Sequence, residues 1–436
     1  MALKYFGTDG VRGPALVSPL GLDDARRWGK AWGQVAHLRG IHQLVLGWDP
    51  RNSSEPLAEA FIQGLDGALE LCVLGMVPTP AVAWTTLHRP DAWGLMFSAS
   101  HNPPEDNGIK GFDGQGEKLV EADEEALEAA YEAAEAPRNQ LPIPASEPGP
   151  MAHYLAQVEG LELPPEFKVI VDCAHGATAP WAPRLIRGQG VEWLGVPADG
   201  ARINVGVGST HMKSLQNRVK ESGADVGIAF DGDGDRCLLV DPKGKIVDGD
   251  QIMWLMAQDL QQQGQAIPGV VGTLMSNGGL DEALGTLGIP FVQTQVGDKF
   301  MLRELALRGW DLAAESSGHV IQKHLGPSGD GLSTAVACLK ALLHRTPQAR
   351  WAWRFRPWPL KLLNLVAPER KELEDCPQLQ SVLADLEQQH GHALRVVVRW
   401  SGTEPKLRLM VEAREADAIE APLHLLESAA RSDLGL

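Results

Sequence analysis

The chain has 436 residues, 44% hydrophobic and 22% charged, ordinary proportions for a globular protein of roughly two to four domains. Its 39 basic and 56 acidic side chains give a formal charge of −17, which argues against nucleic acid or an anionic membrane as the main partner. An anionic small substrate would need a local cluster of arginine and lysine. Five dispersed cysteines without Cys-x-x-Cys spacing, no apolar signal region and no run near 18 apolar residues lead us to expect a soluble cytoplasmic protein.

Taken in chain order, short apolar runs ending in Gly, Asp or Asn read as buried strands: Leu44–Asp49, Val169–Asp172, Val226–Asp231 and Val270–Asn277. Helical periodicity follows several of them, over Glu55–Leu71 after the first and Leu280–Leu287 after the last. The alternation predicts α/β architecture, and its recurrence near every hundred residues suggests related α/β domains. The periodicity predicts a further helix over Glu117–Ala136, whose acidic face (Glu121, Asp123, Glu124, Glu125, Glu128) reads as solvated surface. Five prolines between Pro137 and Pro150 make a stiff linker that ends the first domain. A second proline-rich stretch, Arg356–Pro368, separates a last unit. We therefore expect domains at 1–150, 151–250, 251–360 and 361–436.

The segment Asp231-Gly-Asp-Gly-Asp-Arg236 carries the most specific chemistry. Glycines let the backbone turn so that three carboxylates converge, where each unshielded pair repels by about 4 kcal/mol at 4 Å and an effective dielectric near 20. A divalent cation removes that repulsion, and all-oxygen ligands select a hard ion such as Mg²⁺. An EF-hand calcium loop would want Gly and Glu where this chain has Arg236 and Pro242.

Three other segments carry polar groups after apolar runs. Gly94–Phe97 leads into a loop, Ser98–Lys110, with two serines, His101 and Lys110. Prolines 103 and 104 prevent a helix and hold it rigid, so it reads as a turn held by Ser and Asn hydrogen bonds or as one that presents a serine hydroxyl at a strand end. The order does not match the Gly-x-Ser-x-Gly hydrolase elbow. Ala314-Glu-Ser-Ser-Gly-His319 brings a carboxylate, hydroxyls and an imidazole together, suited to a sugar's hydroxyls. Arg395–Glu412 reads as strand, turn, strand, and is the basic cluster an acidic chain needs for an anion: the Ser401-Gly402-Thr403 turn offers an anion nest beside Arg399, Lys406 and Arg408.

In this order the segments resemble the α-D-phosphohexomutase family over nearly the whole chain. Tyr5–Gly13 looks like the family's N-terminal signature, Ser98–Lys110 its phosphoserine loop, Asp231–Arg236 its metal loop, Glu315–His319 its sugar loop and Arg399–Arg408 its phosphate loop. Val247–Ile252, Gly272–Asn277 and Val296–Lys299 are similar to its glucosamine branch. The resemblance implies three related α/β domains and a smaller α+β C-terminal domain around a central cleft. It implies interconversion of glucosamine 6-phosphate and glucosamine 1-phosphate through phosphorylated Ser100 and a sugar 1,6-bisphosphate, by a monomer or homodimer. Phosphomannomutase or phosphoglucomutase activity, or a silent phosphosugar sensor, are the alternatives.

By the same resemblance, Mg²⁺ would be held by Asp231, Asp233, Asp235 and Ser100. Arg12, Lys110 and His319 would lie near the transferring group, the last two as acid/base candidates. Arg236, Glu315, Ser317, Arg399, Ser401, Gly402, Thr403 and Arg408 would bind substrate. The chain departs from the family at Ala313 and Ala314, where glycines are usual, and at Trp400, which would stack on the sugar or pack below the clamp.

Overall fold

The structure, a computed structural model, describes residues 3–7, 9–65, 69–136, 144–400 and 405–436. One strand pattern occurs three times. In the first sheet Gln43–Trp48 lies between parallel neighbours Glu70–Met76 and Ala92–Phe97, and Asp106–Phe112 returns antiparallel beside Ala92–Phe97. In the second, Val169–Asp172 lies between Val191–Leu194 and Val226–Phe230, with Cys237–Val240 returning. In the third, Val270–Thr273 lies between Phe291–Thr294 and Leu312–Ala314, with Val320–Gln322 returning. The central strands are buried along their whole length in the second and third sheets and in all but the end residues in the first, as expected of strands covered on both faces.

The fourth sheet is antiparallel, in the order Leu360–Val366, Lys406–Ala413, Leu394–Trp400, and packs on the helices Pro377–His390 and Glu420–Leu434. Three related α/β domains and a smaller α+β domain are thus the architecture. One apolar cluster runs from Val45 to Trp353 through the first three domains, while the C-terminal domain has its own, from Leu365 to Ala430. Among the described residues no helix is long and apolar enough to cross a membrane.

Several local expectations change. The helix expected over Glu55–Leu71 spans Ser54–Gly64, because the apolar Leu71–Leu74 is claimed by the strand Glu70–Met76 pairing with Gln43–Trp48. The strand expected to reach Asn277 stops at Thr273, and Asn277 instead caps the helix Gly278–Thr286 by accepting the Gly279 N–H. The helix expected over Glu117–Ala136 spans Glu121–Ala133. Its acidic face is more than solvated surface: Glu128 accepts the backbone N–H groups of Lys4, Tyr5 and Phe6 at 2.8, 2.6 and 2.7 Å, and Asp123 pairs with Arg39 at 2.6 Å. Those contacts tie down the N-terminal segment. Within the second proline-rich stretch, Leu360–Val366 forms the edge strand of the fourth sheet. Of the linker between Pro137 and Pro150, residues 137–143 lie outside the described ones.

Candidate active site

Three of the predicted loops emerge at the same place in their sheets. Residues 98–105, 231–236 and 315–319 all join the last parallel strand to the returning antiparallel one. The C-terminal ends of parallel strands collect polar loops because the strand interiors are sealed by the core. Three repeats of one topology thereby face three different loops toward one cleft.

In the metal loop Asp231 and Asp233 are fully buried and Asp235 nearly so, with ligand oxygens within 4.8 Å of one another. The glycines do more than turn the chain. A Cβ on Gly232 would sit 2.5 Å from the Ser100 carbonyl oxygen, so only glycine lets the two loops touch here. Asp233 Oδ1 and Asp235 Oδ1 are buried without a hydrogen-bond partner. Burial and repulsion from Asp235 and Asp233 push the Asp231 carboxyl well above its usual range. Burial acts on the other two as well, but Lys110 and Thr79 hold Asp233 below its usual range, and Lys110 and His319 hold Asp235 well below.

Ser100 is 1% exposed and adopts φ +52°, a left-handed conformation that costs a serine energy and persists only when surroundings enforce it. Its hydroxyl donates to Asp231 at 2.7 Å and lies 3.2 Å from His101 Nδ1. Burial, with Arg236 and Arg12 nearby, pushes His101 down to about 3, so this neighbour is a neutral imidazole at pH 7.

The enforcement comes from groups that sequence reasoning did not single out. The Ser100 N–H donates to Ser98 Oγ at 2.8 Å, and Ser98 Oγ to Asp49 at 2.6 Å. Arg51, paired with Asp49 at 2.9 Å with both side chains wholly buried, donates to the carbonyls of Ser100, Asn102, Pro103 and Asp106. From the second domain, Asn204 donates to the Ser100 and Asn102 carbonyls at 2.8 and 3.0 Å. The available signal was Asp49-Pro-Arg51 directly after a strand.

Lys110, expected in the loop, lies on the strand Asp106–Phe112, because the loop closes sooner than its prolines suggested. From there its ammonium reaches Asp233 at 2.7, Asp9 at 3.3 and Asp235 at 3.6 Å. Arg12 pairs with Asp9 and reaches the Ala99 carbonyl at 3.4 Å. Arg236 donates its backbone N–H to Asp231 at 3.2 Å. His319 is buried with Nδ1 3.8 Å from Asp235, while Nε2 accepts the Gly329 N–H at 3.1 Å. Burial disfavours its charged form, but Asp235, Asp298 and Glu315 outweigh burial and raise its pKa.

Glu315 accepts the Gly297 N–H at 3.1 Å and the Ser317 hydroxyl at 3.0 Å. Lys118, also unforeseen, bridges Asp9 at 2.5 Å and Asp298 at 2.9 Å, linking the first domain to the third across the cleft. Arg399 lines the same cleft. It stands directly opposite Arg408 in the fourth sheet, and like charges so placed repel unless an anion sits between them. Ser401, Gly402 and Thr403 lie outside the described residues. Trp400 ends the strand Leu394–Trp400, its indole donating to the Lys371 carbonyl at 2.8 Å, and Ala313 and Ala314 are buried in their strand. The cleft that gathers these groups has a volume of about 190 Å³. A larger cavity of about 720 Å³ in the third domain contains none of them.

Four phosphoglucomutase/phosphomannomutase domain models match in order: domain I over residues 3–138, domain II over 152–244, domain III over 248–352 and the C-terminal domain over 362–424. The fold is also that of a phosphoglucomutase/phosphomannomutase family protein from Burkholderia thailandensis, with a TM-score of 0.80 at 23% identity over 99% of this chain and 98% of that one. The N-acetylphosphoglucosamine mutase of Aspergillus fumigatus, solved with GlcNAc-6P and magnesium, aligns with a TM-score of 0.64 at 20% identity over 99% of this chain and 96% of that one. Phosphoglucosamine mutases from Proteus mirabilis and Chromohalobacter salexigens are 40% and 39% identical to it, over 98% and 97% of both chains. The chain belongs to the phosphoglucosamine mutase family of the phosphohexomutases, and is accordingly an isomerase.

Proposed function

We propose that the chain interconverts glucosamine 6-phosphate and glucosamine 1-phosphate through phosphorylated Ser100 and a sugar 1,6-bisphosphate. The observation that carries this reading is the hydrogen bond from the buried Ser100 hydroxyl to Asp231, one of three convergent carboxylates contributed by another domain. The relatives' shared name supplies the substrate.

The residues fit a bound Mg²⁺: the donors are all oxygen, they converge, and two buried carboxylate oxygens lack partners. Asp231, Asp233, Asp235 and an oxygen of phosphorylated Ser100 would hold it. When bound, the ion supplies electrophilic activation and neutralises charge on the transferring phosphoryl group.

The chain's own groups do the rest. Phosphoryl transfer breaks the bond between phosphorus and Ser100 Oγ as a sugar hydroxyl forms its own bond to phosphorus, and the hydroxyl's proton leaves to a nearby base. Lys110 and His319 are our acid/base candidates, since both contact the carboxylate triad and neither is part of it. Arg12 and Arg236 add positive charge beside the triad. Glu315 and Ser317 would bind sugar hydroxyls. Arg399 and Arg408, with Ser401, Gly402 and Thr403, would hold the non-reacting phosphate, so the bisphosphate can turn over and return its other phosphate to Ser100.

Intact mass tests the reading. Wild type incubated with glucose 1,6-bisphosphate and Mg²⁺ should gain one phosphate that Ser100→Ala does not, and excess chelator should prevent the gain. Absence of the phosphate on wild type defeats the mechanism. Faster turnover of mannose or glucose 6-phosphate than of glucosamine 6-phosphate would instead make the chain a phosphomannomutase or phosphoglucomutase.

A further inference from the structure

We infer that Asp298 selects the amino sugar by accepting the ammonium at C2 of the hexose phosphate, an inference that rests on the hexosamine reading above. Four carboxylates line the cleft: Asp9, Asp235, Glu315 and Asp298. Three are already engaged. Asp235 belongs to the triad, and Asp9 is taken by Arg12, Lys110 and Lys118. Both oxygens of Glu315 accept hydrogen bonds, from Gly297 and Ser317.

Asp298 differs because its engagement is one-sided. Oδ1 accepts Lys118 at 2.9 Å and the Lys299 N–H at 2.8 Å. Oδ2 receives no hydrogen bond from the described residues. The ring nitrogen that approaches it, His319 Nε2, stands 3.9 Å away, beyond hydrogen-bond distance. Burial opposes ionisation of Asp298, yet Lys118 and His319 outweigh it and keep the carboxyl below its usual range. The cleft therefore holds an ionised, nearly buried oxygen with a vacant acceptor position, at the head of the helix Asp298–Arg308 and beside the sugar loop.

An ammonium satisfies that oxygen better than a hydroxyl does. Either group can donate to the carboxylate, but only the ammonium adds the attraction of unlike charges, which is strongest away from bulk water, and a site built around a polar group discriminates against the analogue that cannot complete it. Lys118 serves as the internal comparison, an ammonium already accepted by the other oxygen of the same carboxylate.

The test compares kcat/KM for glucosamine 6-phosphate and glucose 6-phosphate in wild type and Asp298→Asn, with Mg²⁺ and glucose 1,6-bisphosphate present. If glucose 6-phosphate is not turned over, its inhibition constant takes the place of its kcat/KM. The ratio favouring glucosamine should fall on the order of tenfold or more on Asp298→Asn, and Asp298→Glu should recover part of it. A change that only distorts the cleft lowers both values by one factor and leaves the ratio intact, which overturns the proposal. If Asp298→Asn does not fold, Asp298→Glu decides: its retained charge should preserve the direction of preference, and loss of that preference overturns the proposal. A wild type that does not prefer glucosamine 6-phosphate defeats the hexosamine reading itself. A wild-type preference that survives Asp298→Asn defeats only the role of Asp298.

Discussion

Around Ser100, buried donors grip the carbonyls of four residues from two sides, Arg51 from the first domain and Asn204 from the second. The C-terminal domain is held quite differently. Its apolar cluster shares no residue with the cluster running through the other three domains. Polar contacts join it to the third domain instead. Arg395 reaches the Ser276 and Leu274 carbonyls, Glu412 accepts the Gly278 N–H at 3.2 Å, and Arg414 pairs with Glu282. Trp358, on the connecting segment, exchanges hydrogen bonds with Asn277 at both its N–H and its carbonyl. The contrast matches the two tasks in the proposed cycle. A phosphoryl group must be presented at one fixed point, whereas the clamp on the far phosphate must admit the sugar in two orientations. Directional hydrogen bonds between domains can open and re-form without exposing an apolar core, and a fused core cannot.

The rigid side breaks most severely at Arg51. Arg51→Met leaves Asp49 buried without its partner and frees the carbonyls it held, so stability should fall by about 3–5 kcal/mol in urea unfolding. Adding Asp49→Asn should return part of that stability but not turnover, because the loop's clamp is still missing. A double variant with near wild-type turnover would show that Ser100 needs no such support.

Asn204 tests the same side more gently. It sits at φ +61°, so Asn204→Ala loses two hydrogen bonds and strains the backbone, whereas Asn204→Gly loses only the hydrogen bonds. We expect a loss of about 2 kcal/mol for alanine and about 1 kcal/mol for glycine. Turnover should fall by up to about a hundredfold in both, since a small misplacement of a reacting group has that effect. Equal stability of the two variants would remove the strain term.

The yielding side should respond to pH. Burial and repulsion from Asp248 push Asp250 up to about 8, and its carboxylate accepts the Asn277 N–H at the junction of the third and fourth domains. A carboxyl whose folded pKa lies above its unfolded value favours folding fully below the unfolded pKa, near 4, and loses that contribution as pH rises through 8. The junction should therefore weaken between about pH 4 and pH 8, by no more than about 1.4 kcal/mol per unit. Asp250→Asn should flatten that slope in thermal melts while leaving the clamp at Ser100 unaffected. A slope that survives the substitution would place the sensitivity elsewhere.

What could be read without coordinates was whatever is local along the chain. The Asp231–Asp235 triad, the polar loops and the paired basic strands show themselves because their groups lie within a few residues of one another, and alternating apolar runs with helical stretches give away the α/β class. Misreadings fell at boundaries, where a nonlocal partner decides: Leu71–Leu74 joins a strand because Gln43–Trp48 offers a pairing edge, and Lys110 sits on a strand because Ala92–Phe97 does the same. Arg51, Lys118 and Asn204 stayed hidden for a related reason, and Asp9 and Asp298, though inside recognised segments, showed no role of their own. Each is an ordinary polar residue in its own neighbourhood, and its role comes from partners between roughly 50 and 180 residues away. Burial and charge pairing are properties of the assembled cleft, so only the fold could show that Ser100 is gripped from two domains and that Asp298 keeps one oxygen open.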